Sequence, residues 1–159
     1  MPRKPAKPAC KHCEFWAKPE AERGTEEFIY CFGLASYDID AARKIIEASP
    51  REVWEVPTDR LAGFIDYPEG SNSWGTHIEE GHLDHVNMEV PVILGFTLRQ
   101  RAKDETPRKL FPIDGSHRIA RSVRDKLPVI KCYRLTEEET DKILTDRRPP
   151  RRKPPKRKK

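Results

Sequence analysis

The chain reads as an α+β domain, a small mixed sheet with short helices, and three features of the sequence predict it. Short β-prone apolar runs recur between residues 28 and 135. Segments with one apolar face at helical spacing stand between them, and no internal repeat is present. The 159 residues suit about one domain with its own core. Hydrophobic and charged residues each make up 36% of the chain, so part of it is expected to stay outside that core.

Taken in order, residues 1–27 are rich in Pro and charge around CKHCEFW and predict an irregular basic segment with one locally ordered, cysteine-containing knot. FIYCFGL (28–34) is a β-prone run. Asp38 or Asp40 can cap a helix that carries Ala41, Ala42, Ile45 and Ile46 on one face, and Pro50 ends it. EVWEVP (52–57) alternates as a strand does, with Trp54 expected in the core, and TDRLAGF follows as a short segment. The stretch 67–87, rich in Gly, Ser and Asn, holds three of the five histidines and reads as a long loop, of the kind that serves as a lid or a site.

VPVILGFTL (90–98) is the strongest strand, nearly continuous and β-branched, so it is expected to be buried on both faces. The charged connection 99–109 returns the chain to LFPI. In SHRIARSVRD (116–125), Ile119, Ala120 and Val123 share one side while Arg118, Arg121 and Arg124 recur at threefold spacing, which predicts an amphipathic helix with a basic face. LPVIKCYRL (127–135) is a further strand, and TEEETDKIL opens with a capping box, Thr136 with Glu139. The folded domain is thus expected over 28–146 and a disordered basic tail over 147–159.

That tail, RRPPRRKPPKRKK, holds nine Lys or Arg and no acid. Removing its nine charges from the total of +5 leaves residues 1–146 at −4, and removing the +3 of MPRKPAKP leaves 9–146 at −7. An acidic body with basic arms suits contact with a polyanion, driven by counterion release. Arg147, Arg148, Arg151, Arg152, Lys153, Lys156 and Arg157 are the expected nucleic-acid contacts, since no aromatic or apolar residue interrupts them as a membrane-binding segment would require. No run of about 18 apolar residues and no apolar signal core occur, so we expect a cytoplasmic protein with reduced thiols.

The densest chemistry lies at DGSHR (114–118), where a strand passes into a helix. Gly115 allows a tight turn and close approach of a ligand, and the helix start offers free N–H groups to an anion. Ser116 can donate a hydroxyl, Arg118 can grip phosphate oxygens, and His117 can donate or shuttle a proton. Asp114 repels a phosphate and better suits a metal ion or the orientation of His117. An ordinary strand-turn-helix corner, in which Asp114 and Ser116 cap the helix and the arginines are solvated, accounts for the same residues.

EVPTDRL (55–61), PVILGF (91–96), FPIDGSHRIARSV (111–123) and LPVIKCYRLTEEET (127–140) together resemble, in order and spacing, the N-terminal domain of the ParB/sulfiredoxin superfamily. The resemblance implies that Gly115, Ser116, His117 and Arg118 bind the phosphates of a nucleoside triphosphate, ATP or CTP, with Mg²⁺ and with Asp114 at the matching acidic position. It assigns catalytic roles to His117 and Asp114, and to an acid of the opening segment, Glu55 or Asp59. Sulfiredoxins carry a catalytic cysteine where Ser116 stands, and partition ParB proteins continue into a helix-turn-helix that this sequence lacks. The implied function is therefore that of a small plasmid- or phage-type member: NTP binding and hydrolysis on or near nucleic acid, DNA before RNA, with nuclease activity as an extension. A kinase for a small hydroxylated acceptor and a non-enzymatic nucleic-acid adaptor stand as alternatives.

His77, His82, Asp84 and His85 form H-x4-H-x-D-H, in which His82 and His85 are candidate metal ligands or lid residues over the nucleotide. Cys10 and Cys13, with His12 between them and Cys31 downstream, make half of a zinc knuckle. The second ligand pair is missing, so no zinc is expected. Trp74 is the better candidate than Trp54 for stacking on a base.

Overall fold

The alternation in Val92, Ile93 and Leu94 sets the architecture. In the computed structural model, which describes residues 10–30, 35–65, 78, 80–98 and 107–146, Val92 and Leu94 join one buried cluster while Ile93 joins another. Strand β4 (Val92–Phe96) therefore lies in a layer covered on both sides, as its unbroken apolar run predicts.

The elements run α1 (Lys11–Ala17), α2 (Glu20–Arg23), β1 (Glu27–Tyr30), β2 (Ala35–Asp38), α3 (Ile39–Ala48), β3 (Trp54–Pro57), α4 (Thr58–Ala62), a 3₁₀ turn (Glu80–His85), β4, β5 (Leu110–Asp114), α5 (Ser116–Arg124), β6 (Val129–Arg134), α6 (Glu137–Ile143) and β7 (Leu144–Asp146). One sheet has the order β3-β6-β4-β5, with β4 and β6 parallel and the other neighbours antiparallel; a second, β1-β2-β7, is antiparallel throughout. The fold is α+β, as the sequence predicts. On one face of the larger sheet, Leu61, Leu83, Ile119, Ala120, Ile130 and Cys132 pack with Val92 and Leu94. On the other, Phe111 and Ile113 meet Tyr37 of β2, Ile39 and Ala42 of α3, and Ile143 of α6.

Helix α3 starts where the acids of 38–40 place it: the Asp38 carboxylate accepts from the Ala41 amide at 2.9 Å. Asp40 takes a different role, buried and paired with Arg23 of α2 at 2.7 Å while its other oxygen accepts from the Glu26 amide. The bond from Arg23 holds the Asp40 carboxyl below its ordinary range.

Several expectations need correction. Over residues 10–27, the ordered knot at CKHCEFW is helix α1, whose first turn the Cys10 side chain caps by accepting from the Cys13 amide, and the short helix α2 follows where irregular chain was expected. The run expected as one strand over 28–34 contributes β1, which pairs with an additional strand, β2. A part of the long loop, Glu80–His85, is a 3₁₀ turn anchored by fully buried Leu83. Trp54 is 43% exposed because β3 is an edge strand, and its ring carries the Arg134 guanidinium at 3.4 Å.

The capping box at the start of α6 forms as the sequence predicts, with Glu139 accepting from the Thr136 amide at 2.9 Å. Arg51 adds a two-pronged bond to the same carboxylate, at 2.5 and 2.7 Å, and this bond foremost holds Glu139 at about 2, against an ordinary 4.5. A carboxyl depressed by folding contributes stability that is complete above about 4.5 and lost as pH falls toward about 2. Glu139→Gln should therefore cost stability at pH 7, by about 1 kcal/mol for a partly exposed pair, and flatten the loss between pH 4.5 and 2 in chemical denaturation.

Candidate functional site

The cleft is built where β5 ends. Its last residue, Asp114, is followed by Gly115 at φ +107°, a conformation that suits glycine, and α5 begins directly after. Gly115, at the N-cap of α5, has no side chain with which to cap the first turn. Gly115, Ser116, His117 and Arg118 all line a cleft of about 530 Å³. Its other walls come from His12 and Trp16 of α1, Glu26 to Phe28 at β1, Arg43 of α3, and the segment from His82 to Val90.

Two guanidinium groups converge on one oxygen at the floor. Asp114 Oδ2 accepts from Arg118 at 3.0 Å and from Arg43 at 3.3 Å. Arg43 also donates to Glu26 at 2.5 Å. Burial first, and then the neighbouring Asp114, push the Glu26 carboxyl above its ordinary range, although Arg43 works against this. The result is an alternating set of two arginines and two acids open to the cleft.

The basic face of α5 is not a free surface. Arg118 donates to the Val90 carbonyl at 3.1 Å, Arg121 to the Val86 carbonyl at 3.1 Å, and Arg124 pairs with Asp84 at 2.9 Å. The threefold spacing that suggests a basic face of solvated arginines thus fastens residues 84–90 along α5. Fastening sets that wall of the cleft, with His82 and His85 on it.

Three imidazoles meet at the cleft's upper edge. His82 stacks on His12 with ring centroids 4.0 Å apart, and His117 stands edge-on to both, at 4.9 and 4.7 Å. Next to them, the sulfurs of Cys10 and Cys13 lie 3.2 Å apart and 3.1 and 3.3 Å from His82 Nδ1. Burial foremost, with Cys10 alongside, pushes the Cys13 thiol up.

The sequence-derived site therefore divides. Asp114, Gly115, Ser116, His117 and Arg118 come together with His82 and His85. Glu55 does not join them: it is exposed on edge strand β3, opposite Lys131, with β6 and β4 between it and β5. Asp59, on α4, is exposed as well and does not line the cleft. Cys132 is fully buried and burial raises its thiol to about 12, which makes it inert. Cys31, Trp74, His77 and the tail from Arg147 to Arg157 lie outside the described residues. The sequence offered no sign of Glu26, Arg43 or Trp16 at the site; only tertiary packing brings them there.

Comparison with protein-family models, with curated proteins and with solved structures finds no match to this chain. Among the described residues, no helix is long and apolar enough to cross a membrane.

Proposed function

We propose that the cleft binds a nucleoside triphosphate with Mg²⁺, its phosphates resting on the first turn of α5, as the ParB/sulfiredoxin resemblance implies. The observation that supports this most is the convergence of Arg43 and Arg118 beside an uncapped helix start. A phosphate takes up the donors that Asp114 now shares, and the helix N-terminus adds its partial positive charge. Asp114 and Glu26 are carboxylates lining the cleft that would hold a divalent cation, whose charge offsets that of the phosphates. Ser116 donates its hydroxyl, and Trp16 and Phe28 are the aromatic residues of the lining against which a base would rest.

Hydrolysis asks the protein for positioning and charge neutralisation, which two arginines supply. His117 lines the same floor and can carry a proton at its ring nitrogen. Because the arginines of α5 are engaged with residues 84–90, contact with DNA is left to the basic tail. A kinase for a small hydroxylated acceptor is the second reading, favoured by Glu26: it stands in the cleft where Glu55 does not, and its raised proton affinity suits a general base.

The test is equilibrium binding of ATP, CTP, GTP and ADP, with and without Mg²⁺, to the wild type and to the His117→Ala/Arg118→Ala double variant. One triphosphate is expected to bind the wild type, and the folded double variant to lose at least about 100-fold in affinity, the size of two charge-assisted bonds. No binding to the wild type up to millimolar nucleotide, or equal binding by both proteins, would overturn the reading. Where binding is seen, turnover stimulated by DNA supports the hydrolase, and turnover that requires a small hydroxylated acceptor supports the kinase.

A further inference from the structure

Helix α1 poses a physical problem. Seven residues are too few for a helix to persist in water without tertiary support, yet α1 buries none of its residues and leaves Phe15 and Trp16 exposed at 43% and 36%. The neighbouring α2 is anchored by the buried Arg23–Asp40 pair, whereas α1 reaches the body of the domain through its ring contacts, His12 with His82 and His117 and Trp16 with Arg23, and through the two thiols on His82. Two thiols and an imidazole drawn together from opposite ends of a 72-residue separation form a donor set of the soft kind that binds zinc.

We propose that Cys10, Cys13 and His82 bind a zinc ion that clamps α1 onto the 3₁₀ turn and so completes the wall of the cleft. The three donor atoms lie 3.1 to 3.3 Å from one another. Each separation is shorter than the sum of two metal–ligand bonds, about 2.3 Å for zinc–sulfur and about 2.0 Å for zinc–nitrogen, so one ion off their plane reaches all three. The Cys13 amide points at the Cys10 sulfur at 3.4 Å, a bond that a metal-bound thiolate accepts well. The fourth place is left to a further donor; His12 and His117 are the nearest imidazoles, forming with His82 a second group whose ligand atoms lie within 4.8 Å of one another. His117 belongs to the proposed phosphate site, so the ion stands beside that chemistry, but the zinc site does not depend on the nucleotide reading.

Zinc spacing escapes the sequence because the missing half of the site is not a second C-x2-C. It is a single histidine of the loop, 69 residues beyond Cys13. The other histidine considered there, His85, is exposed and outside the cluster.

The test loads the purified full chain with Zn²⁺, removes excess metal by dialysis and measures bound metal; Co²⁺ loading in parallel reads thiolate coordination as charge-transfer absorption in the near ultraviolet. About one zinc per chain is expected, with cobalt spectra of a tetrahedral thiolate site. Cys10→Ser, Cys13→Ser and His82→Ala should each weaken binding by more than about 100-fold, beyond the 10- to 100-fold effect of outer-shell partners, while His85→Ala retains the metal. Alkylation of the wild type covers the case in which a ligand variant fails to fold: zinc should protect Cys10 and Cys13 from iodoacetamide and a chelator should expose them. Absence of retained metal, metal retained unchanged by folded ligand variants, or Cys10 and Cys13 recovered as a disulfide instead of a metal-protected pair would overturn the proposal.

Discussion

Leu83→Ala is expected to lower stability by about 2–5 kcal/mol, the range for truncating a fully buried leucine. Leu83 is the buried residue of the 3₁₀ turn and packs into the cluster formed by Val92, Ile119 and Cys132. Among the described residues, Leu83 is the buried apolar group of 80–90, and the other ties are the arginines of α5, the thiol contacts of His82 and partly buried positions. Partly exposed ion pairs such as Arg124–Asp84 contribute little by comparison, so the leucine carries most of the attachment. A thermal scan should show the midpoint reduced by on the order of 10 °C for a chain of this size. The same variant should loosen His82 and with it the thiol and imidazole cluster, so retained zinc should fall along with stability. A loss under about 1 kcal/mol would show that the turn is held by something other than Leu83.

Gly115→Ala should be nearly as costly and should act on the site directly. Its backbone lies at φ +107°, where a side chain is strained, and an added Cβ would stand 2.8 Å from the Val92 side chain. Val92 is fully buried between α5 and the sheet and has no room to retreat. The same Cβ falls 3.0 Å from the Arg118 guanidinium, which is flexible enough to yield but only by leaving its place over Asp114. Strain of this kind costs about 1–3 kcal/mol, and overpacking adds a similar amount. Urea denaturation should show that loss, and nucleotide affinity of the folded variant should fall with it, because the guanidinium no longer converges with Arg43. Unchanged stability together with unchanged affinity would mean that the turn relaxes freely.

Much of the larger sheet and its helices was legible because each segment carries a local signal. The buried run VILGF, the apolar stripe of Ile119 and Ala120, and the capping box at Thr136 depend on neighbours within a few residues, and all three formed. The smaller sheet was harder to read. Strand β7 is three residues long and pairs with β2 across more than a hundred residues, so no local pattern announces it. Helix α1 was hidden for the opposite reason: its stripe is not apolar, and its attachment is made by sulfur and imidazole.

The site shows the same division. DGSHR was readable as a turn into a helix because glycine, a hydroxyl and a guanidinium have local meaning. What those residues face was not readable, since Glu26 and Arg43 arrive through the packing of β1 and α3. Arg118, Arg121 and Arg124 were correctly placed on one helix face, but charge spacing alone does not distinguish a solvated face from one that clasps backbone carbonyls. Topology sets Glu55 apart from the cleft: neighbours in a sheet need not follow sequence order, and β3 lies at the edge farthest from β5.

Hydrogen–deuterium exchange of the full chain with and without a magnesium triphosphate tests the proposed phosphate site most directly. If the cleft holds a magnesium triphosphate as proposed, slower exchange is expected at the amides of residues 115–119 and in the facing segment around Glu26. No change there at millimolar nucleotide, or protection at a surface that excludes the start of α5, would contradict it.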